Sequence, residues 1–258
     1  MPTFLFDNII FGPVWSRRLG ESLGINLLPL NRKICNFNCI YCECGLTPAN
    51  RQKTEYPHAE KVINLLKSRL TEMKEKGEYL DSITFAGNGE PTLHPAFPQI
   101  MDNALKIRNE LFPSAKIAVL SNATLIGKKF VFNALLKADL NILKLDSAID
   151  ETRRLINCPK DNLRIEEIID LMKLFNGKLI IQTLFLRGIY KGKPVNNNTE
   201  TEVSAWLRAI KTIQPEFVMI YSIARDTAVE GLVGIGPEEL KIIAERLEEA
   251  GIKVQITP

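Results

Sequence analysis

Short apolar runs alternate with amphipathic stretches along this chain, and that rhythm restricts the fold more than any other feature. Runs at 24–28, 82–86, 116–120, 140–145, 179–185 and 217–221 read as strands, with 252–256 as a closing one. Between them, segments 57–76, 96–110, 128–137, 165–175 and 200–212 read as helices. In the first of these, Val62, Leu66, Leu70 and Met73 are spaced along one face. The last helix opens with Pro237-Glu238-Glu239, a proline in the first turn with carboxylates beside the positive end of the dipole. Apolar strands that each lead into a helix require a parallel sheet covered by helices. No composition break divides the 258 residues, so the expectation is a single domain over 1–258 with a short N-terminal extension, 1–22. An open doubly wound sheet and a partial barrel both fit. In either, chemistry belongs on the loops that follow the carboxyl ends of the strands.

The first such loop carries Cys35, Cys39 and Cys42, a C-x3-C-x2-C run. Three thiolates on one short loop can bind a single metal centre. A closed zinc site wants four protein ligands, whereas three soft thiolates around a four-iron cluster leave one iron open to a small molecule. The competing readings are a zinc knuckle completed by Cys44 or His58, and a redox thiol cluster. Tyr41, just before the third cysteine, either covers the centre, stacks on a bound nucleoside or packs.

Unusual residues also gather after the later strands. The second ends in Gly87-Asn88-Gly89-Glu90-Pro91, where two glycines permit close backbone approach and Glu90 presents a carboxylate. Ser121 and Asn122 close the third, in positions that suit ligand contact or a turn. The fourth carries Lys144 and Asp146, which alternate onto the same side and so pair with each other or face a cavity. Gln182 is a lone amide in an apolar strand, and Arg225 follows the sixth strand, where a carboxylate grip and a surface ion pair with Asp226 or Glu230 compete.

The cysteine triad with its preceding aromatic resembles the signature of the radical S-adenosylmethionine (radical SAM) superfamily. That resemblance implies a six-stranded parallel partial TIM barrel, (β/α)6, and a [4Fe–4S] cluster on Cys35, Cys39 and Cys42. It also implies that S-adenosylmethionine binds the open iron and is cleaved reductively to a 5′-deoxyadenosyl radical, with electrons from an external low-potential donor. The superfamily has a Gly-Gly-Glu type motif at Gly87 to Glu90, with Asn88 in its middle position here. Taken with the residue readings above, this makes Tyr41, Gly87, Asn88, Gly89, Glu90, Ser121, Asn122, Lys144, Asp146, Gln182 and Arg225 candidate cofactor contacts. Residues 12–24, 156–159 and 221–225 are similar to a branch of iron–sulfur oxidoreductases related to wyosine-type tRNA base synthases. The chain departs from that branch in two ways. Only Cys44 and Cys158 are left over, too few for a second cluster, and Cys158 stands where the branch carries arginine.

The 33 basic and 30 acidic residues leave a net charge of +3, which by itself argues for no nucleic-acid partner. The cysteine spacing is not that of a disulfide framework and fits a reducing, cytoplasmic setting. The start at Met1-Pro2-Thr3 lacks a charged leader, and no run is long and apolar enough to span a membrane. A small-molecule substrate suits the compact chain best. The alternatives are a tRNA base, held by Arg17, Arg18, Arg153, Arg154 and Lys160, and a non-catalytic zinc or iron–sulfur binding module. Segment 187–199 reads as a flexible surface loop, with a lid as the alternative.

Overall fold

The computed structural model describes residues 4–48 and 55–257; Met1 to Thr3 lie outside the described residues. The chain opens with an antiparallel hairpin, β1 (Ile10–Ser16) and β2 (Gly20–Ile25). There follow α1 (Ala59–Glu75), β3 (Ser82–Phe85), α2 (Phe97–Leu111), β4 (Lys116–Ser121), α3 (Lys129–Leu135) and β5 (Leu140–Lys144). Two short helices, α4 (Asp150–Asn157) and α5 (Ile165–Lys173), precede β6 (Ile180–Tyr190) and β7 (Lys193–Asn196). The chain continues through α6 (Glu200–Ile213), β8 (Phe217–Ser222), β9 (Leu232–Gly234) and α7 (Pro237–Glu249) to β10 (Val254–Thr257).

The sheet runs β1-β2-β3-β4-β5-β6-β8-β10, and every pair from β2 onward is parallel. Six helical crossovers therefore separate seven parallel strands, and β1 and β10 end the sheet without meeting. Of the two folds the alternation allowed, this is the α/β partial barrel that the resemblance implied, and the sheet is not closed.

Burial explains the arrangement. The face of α1 marked by Val62, Leu66, Leu70 and Met73 is fully buried against the sheet. Trp206 of α6 packs edge-on to Phe185, and its indole N–H donates to the Leu145 carbonyl and the Thr183 hydroxyl. Inside the sheet's curve, Ala118, Ile142, Ile180 and Met219 form one apolar layer, against which Leu19 packs from the β1–β2 turn. Side chains two residues along a strand return to the same face. Leu120, Lys144, Gln182 and Tyr221 thus stand one layer above, where they line a cavity of about 220 Å³.

Several elements were not read from the sequence. Strand β1 contains Pro13, which weakens a strand signal, and it lies at the sheet edge where proline is tolerated. Segment 187–199 is not a loop: β6 continues past the barrel rim and turns through Lys191 and Gly192, both at positive φ, into β7. Lys-Gly is a weak hairpin signal beside Asn-Gly or Gly-Gly, so the turn was hidden. Residues 10–22, taken as part of an extension, form β1, its turn and the start of β2. Among the described residues, no helix is long and apolar enough to cross a membrane.

Candidate active site

The cysteine loop is held to the glycine loop by backbone hydrogen bonds. Ile34 N–H donates to the Asn88 carbonyl at 2.9 Å, and Glu90 N–H donates to the Ile34 carbonyl at 3.1 Å. This one-residue parallel bridge, Ile34 to Gly89, places Cys35 beside the end of β3. It requires Gly89: with φ at +136°, any Cβ there would collide with the Ile34 carbonyl. We expect Gly89→Ala to lower stability by about 2–3 kcal/mol from backbone strain and the collision. A urea-denaturation series would check this, and a loss below about 0.5 kcal/mol, the range of neutral surface changes, would count against the bridge.

The other side of the cysteine loop rests on the end of α4. Asn38 N–H donates to the Asn157 carbonyl and Ile40 N–H to the Ile156 carbonyl, both at 2.9 Å, while Lys160 N–H donates to the Asn36 carbonyl at 2.9 Å. Segment 156–159, singled out in the sequence only by resemblance, is thus the shelf beneath the cysteines. The Asn157 amide donates to Cys39 Sγ at 3.4 Å and to an Asp146 carboxylate oxygen at 2.6 Å. Asn122 Nδ2 lies 3.6 Å from Cys35 Sγ, and Phe37 N–H donates to the same sulfur at 3.3 Å.

All three cysteines line the 220 Å³ cavity, together with Gly87, Gly89, Glu90, Ser121, Asn122, Tyr41, Lys144 and Gln182. Burial pushes the Cys35 and Cys39 thiols up, to about 12 and about 11. Cys42 differs: a hydrogen bond with Cys44 and the neighbouring Lys33 ammonium hold it below the ordinary thiol range. Among the described residues, no three metal-ligating side chains already surround a common point. The donor set nevertheless fits a cluster: three soft sulfurs within eight residues face one cavity, and amide N–H groups already serve two of them.

Glu90 is buried, and its two oxygens accept from Thr92 N–H at 3.1 Å, Ser121 Oγ–H at 2.9 Å and Asn122 N–H at 2.7 Å. Burial raises its pKa against those bonds. Its first duty is to tie the end of β3 to the end of β4. Lys144 and Asp146 do both things the strand alternation allowed. Lys144 faces the cavity, with Nζ 3.6 Å from Asp146, which lies behind the wall with no exposed side-chain surface. Burial pulls the Lys144 pKa down, but Asp146, the Tyr221 hydroxyl and Cys39 outweigh it and the net shift is upward. Tyr41 lies with its ring under the Lys144 ammonium and donates its hydroxyl proton to Asp146. Gln182 presents an amide to the cavity.

Three expected contacts, Asp146 behind the wall, Asn88 and Arg225, do not line this cavity. The Asn88 side chain donates to the Phe6 and Pro29 carbonyls, each at 2.9 Å, and accepts from Phe6 N–H at 2.8 Å. It fastens the N-terminal segment to the glycine loop instead. Arg225 is exposed and pairs with Glu43 at 2.8 Å, neither of the acids adjacent to it in sequence. Sequence reasoning gave no site role to Lys33, Phe37, Asn157 or Tyr221. Lys33 stood two residues before the first cysteine, which was a signal; Tyr221 required knowing which way β8 turns its odd residues. Cys158 caps α4 in a left-handed conformation and its thiol donates to the Leu155 carbonyl, away from the cavity.

Residues 33–193 match the model of the Radical SAM superfamily. A UPF0026 protein of Methanocaldococcus jannaschii is 34% identical over 186 residues, which cover 70% of this chain and 55% of that protein. A Brachyspira hyodysenteriae protein named GTPase Obg is 29% identical over 252 residues, covering 96% of this chain and 34% of that protein. The chain thus spans from about a third to about three quarters of the length of the curated relatives it matches, and somewhat over half of most of them. It contains no G-x4-G-K-[S/T] phosphate loop. Among solved structures, a radical SAM methyltransferase from Sphaerobacter thermophilus superposes with a TM-score of 0.66 at 15% identity, covering 92% of this chain and 65% of the other. TYW1 with a lysine–pyruvate adduct bound gives 0.61 at 16% identity, covering 88% and 73%. Streptococcus suis SuiB bound to S-adenosylmethionine gives 0.62 at 15%, covering 91% and 50%. At these identities the structural likeness establishes the fold.

Proposed function

The chain belongs to the radical SAM superfamily, enzymes that use a [4Fe–4S] cluster and S-adenosylmethionine, and from that premise we propose that the cavity above is its active site. Cys35, Cys39 and Cys42 hold the cluster, and Gly87, Gly89, Ser121 and Asn122 line the seat of S-adenosylmethionine. Bound there, the cluster would supply one electron, drawn from an external low-potential donor, for the reductive cleavage of S-adenosylmethionine that enables hydrogen removal from the substrate. The protein's own work is orientation and exclusion of water. Asn157 and Asn122 direct amide hydrogens at two of the sulfurs, Tyr41 and Phe37 shield the loop, and Lys144 presents a positive charge that Asp146 holds in place. The observation that carries the reading is the convergence of three thiols, the glycine backbone and this charged wall on one cavity.

A small-molecule substrate is favoured over a tRNA base. Two of the basic residues that would have formed an RNA groove, Arg153 and Arg18, are turned inward. Arg153 is buried against Asp161 at 3.1 Å, Arg18 faces the cavity, and the Lys160 ammonium reaches back to the Cys35 carbonyl. We read the described residues as one catalytic unit, and the unpaired thiols as suited to the reducing cytoplasm. Anaerobic reconstitution with iron and sulfide, reduction and addition of S-adenosylmethionine are expected to yield 5′-deoxyadenosine. A colourless protein that retains zinc and leaves S-adenosylmethionine intact would overturn this function.

A further inference from the structure

Three cations line the cavity, Arg18, Lys33 and Lys144, against one lining carboxylate, Glu90, whose oxygens are already taken by Thr92, Ser121 and Asn122. Lys33 donates to the Gly45 carbonyl at 2.7 Å and faces the thiols. Lys144 has Asp146 at 3.6 Å. Arg18 has no such match. Its Nη1 is buried without a hydrogen-bond partner, and no carboxylate among the described residues forms an ion pair with it. Burying a guanidinium nitrogen unpaired is costly, so a group placed this way points to an anion that completes it.

The placement is built rather than incidental. Leu19, next in sequence, is packed against the apolar layer of the barrel, and the Ser16 hydroxyl accepts from Leu19 N–H at 3.2 Å. The Gln255 amide of β10 donates to the Arg18 carbonyl at 3.4 Å, so the turn is held from both ends of the unclosed sheet. The guanidinium lies over the Tyr221 ring, 4.5 Å from its centre, which orients its plane. The Tyr221 hydroxyl lies 3.5 Å from Lys144 Nζ. The Gln182 amide, on the neighbouring strand, also faces the cavity. Arg18 and Tyr221 both lie outside residues 33–193, the segment this chain shares with the superfamily model.

We propose that Arg18, Tyr221 and Gln182 form a subsite for an anionic group, a carboxylate or a phosphate, carried by the substrate. This rests on the cavity being the active site and adds the substrate's chemical class to that reading. Arginine presents two parallel N–H donors that match either oxyanion. The other carboxylate that could reach it belongs to S-adenosylmethionine itself, so the test must separate the two.

Inorganic phosphate and acetate would be titrated calorimetrically into the reconstituted protein with S-adenosylmethionine bound, for wild type, Arg18→Gln and Gln182→Leu. The affinity for S-adenosylmethionine would be measured separately on each. Saturable binding of one anion by wild type is expected, with the preferred anion naming the group. Arg18→Gln should weaken it by about tenfold or more, and Gln182→Leu by about threefold, each with S-adenosylmethionine affinity within about twofold of wild type. Should Arg18→Gln fail to fold, Gln182→Leu decides, because it leaves the β1–β2 turn intact. No saturable anion binding by wild type, or weakened S-adenosylmethionine binding with an unchanged anion isotherm, overturns the proposal. A wild-type preparation that takes up no cluster counts against the radical SAM reading instead, and its phosphate and acetate titrations still decide the subsite.

Discussion

The Cys39→Ala protein is expected to lose its cluster and to yield no measurable 5′-deoxyadenosine under conditions where the wild type forms it. Cys39 is the most enclosed of the three cysteines, 7% exposed, and it is the one served by the Asn157 amide. Alanine removes a soft donor that no residue beside it can replace. Changes to groups that merely hydrogen-bond a ligand cost about 10–100-fold in metal affinity, so loss of the ligand itself should exceed that range. Cys44→Ala is the informative partner experiment. Cys44 also faces the cavity, and its thiol lies 3.6 Å from the Gly87 carbonyl. With three ligands sufficient, Cys44→Ala retains its iron; loss of metal in both variants would instead favour a four-thiolate zinc or electron-carrier site. Iron and sulfide content together with product analysis separate these results.

Asp146→Ala is expected to destabilise the protein by about 3–5 kcal/mol, the cost of breaking a buried pair by removing one partner. The Asp146 side chain has no exposed surface and satisfies four groups at once. It accepts from the Tyr41 hydroxyl, from the Asn157 amide at 2.6 Å and from Leu184 N–H at 3.0 Å, and it faces Lys144 at 3.6 Å. Alanine leaves the Lys144 ammonium uncompensated and three buried donors without an acceptor. Because Tyr41 and Asn157 both belong to the cysteine platform, the same change should loosen Cys39. Asp146→Asn keeps one acceptor oxygen, turns the other into an amide donor and removes the charge, so it should fall between wild type and alanine. Urea denaturation of the three proteins checks the order. An alanine variant within about 1 kcal/mol of wild type would mean that Lys144 reaches solvent and that the carboxylate is not its counter-charge.

The parts of this fold and site that were legible in the sequence are those encoded by local pattern. The burial stripe of α1 follows from its spacing, because residues three and four apart share a helix face whatever surrounds them. The cysteine triad and the Gly87 to Glu90 loop were likewise visible, being short, contiguous and chemically distinctive. The layer of Leu120, Lys144, Gln182 and Tyr221 was half visible. Strand alternation placed Lys144 and Asp146 on one side, but the alignment of that layer across strands comes from the parallel register, which no single strand encodes. Asn88 shows the opposite case: it sits inside the glycine motif, yet its side chain turns to the N-terminal segment, a contact 82 residues away in sequence.

By itself, the sequence determined the strand–helix alternation, the loop that bears the cysteines and the end of the sheet on which chemistry collects. These depend on interactions among near neighbours, which spacing records directly. Only the tertiary structure decided that Asn157 would serve Cys39, that Asp146 would anchor the platform from behind, and that Arg18 would cross the open side of the barrel to lie over Tyr221. Those choices join residues 11 to 203 positions apart, and their free energy comes from burying charges and amides whose partners exist only once the sheet has curved.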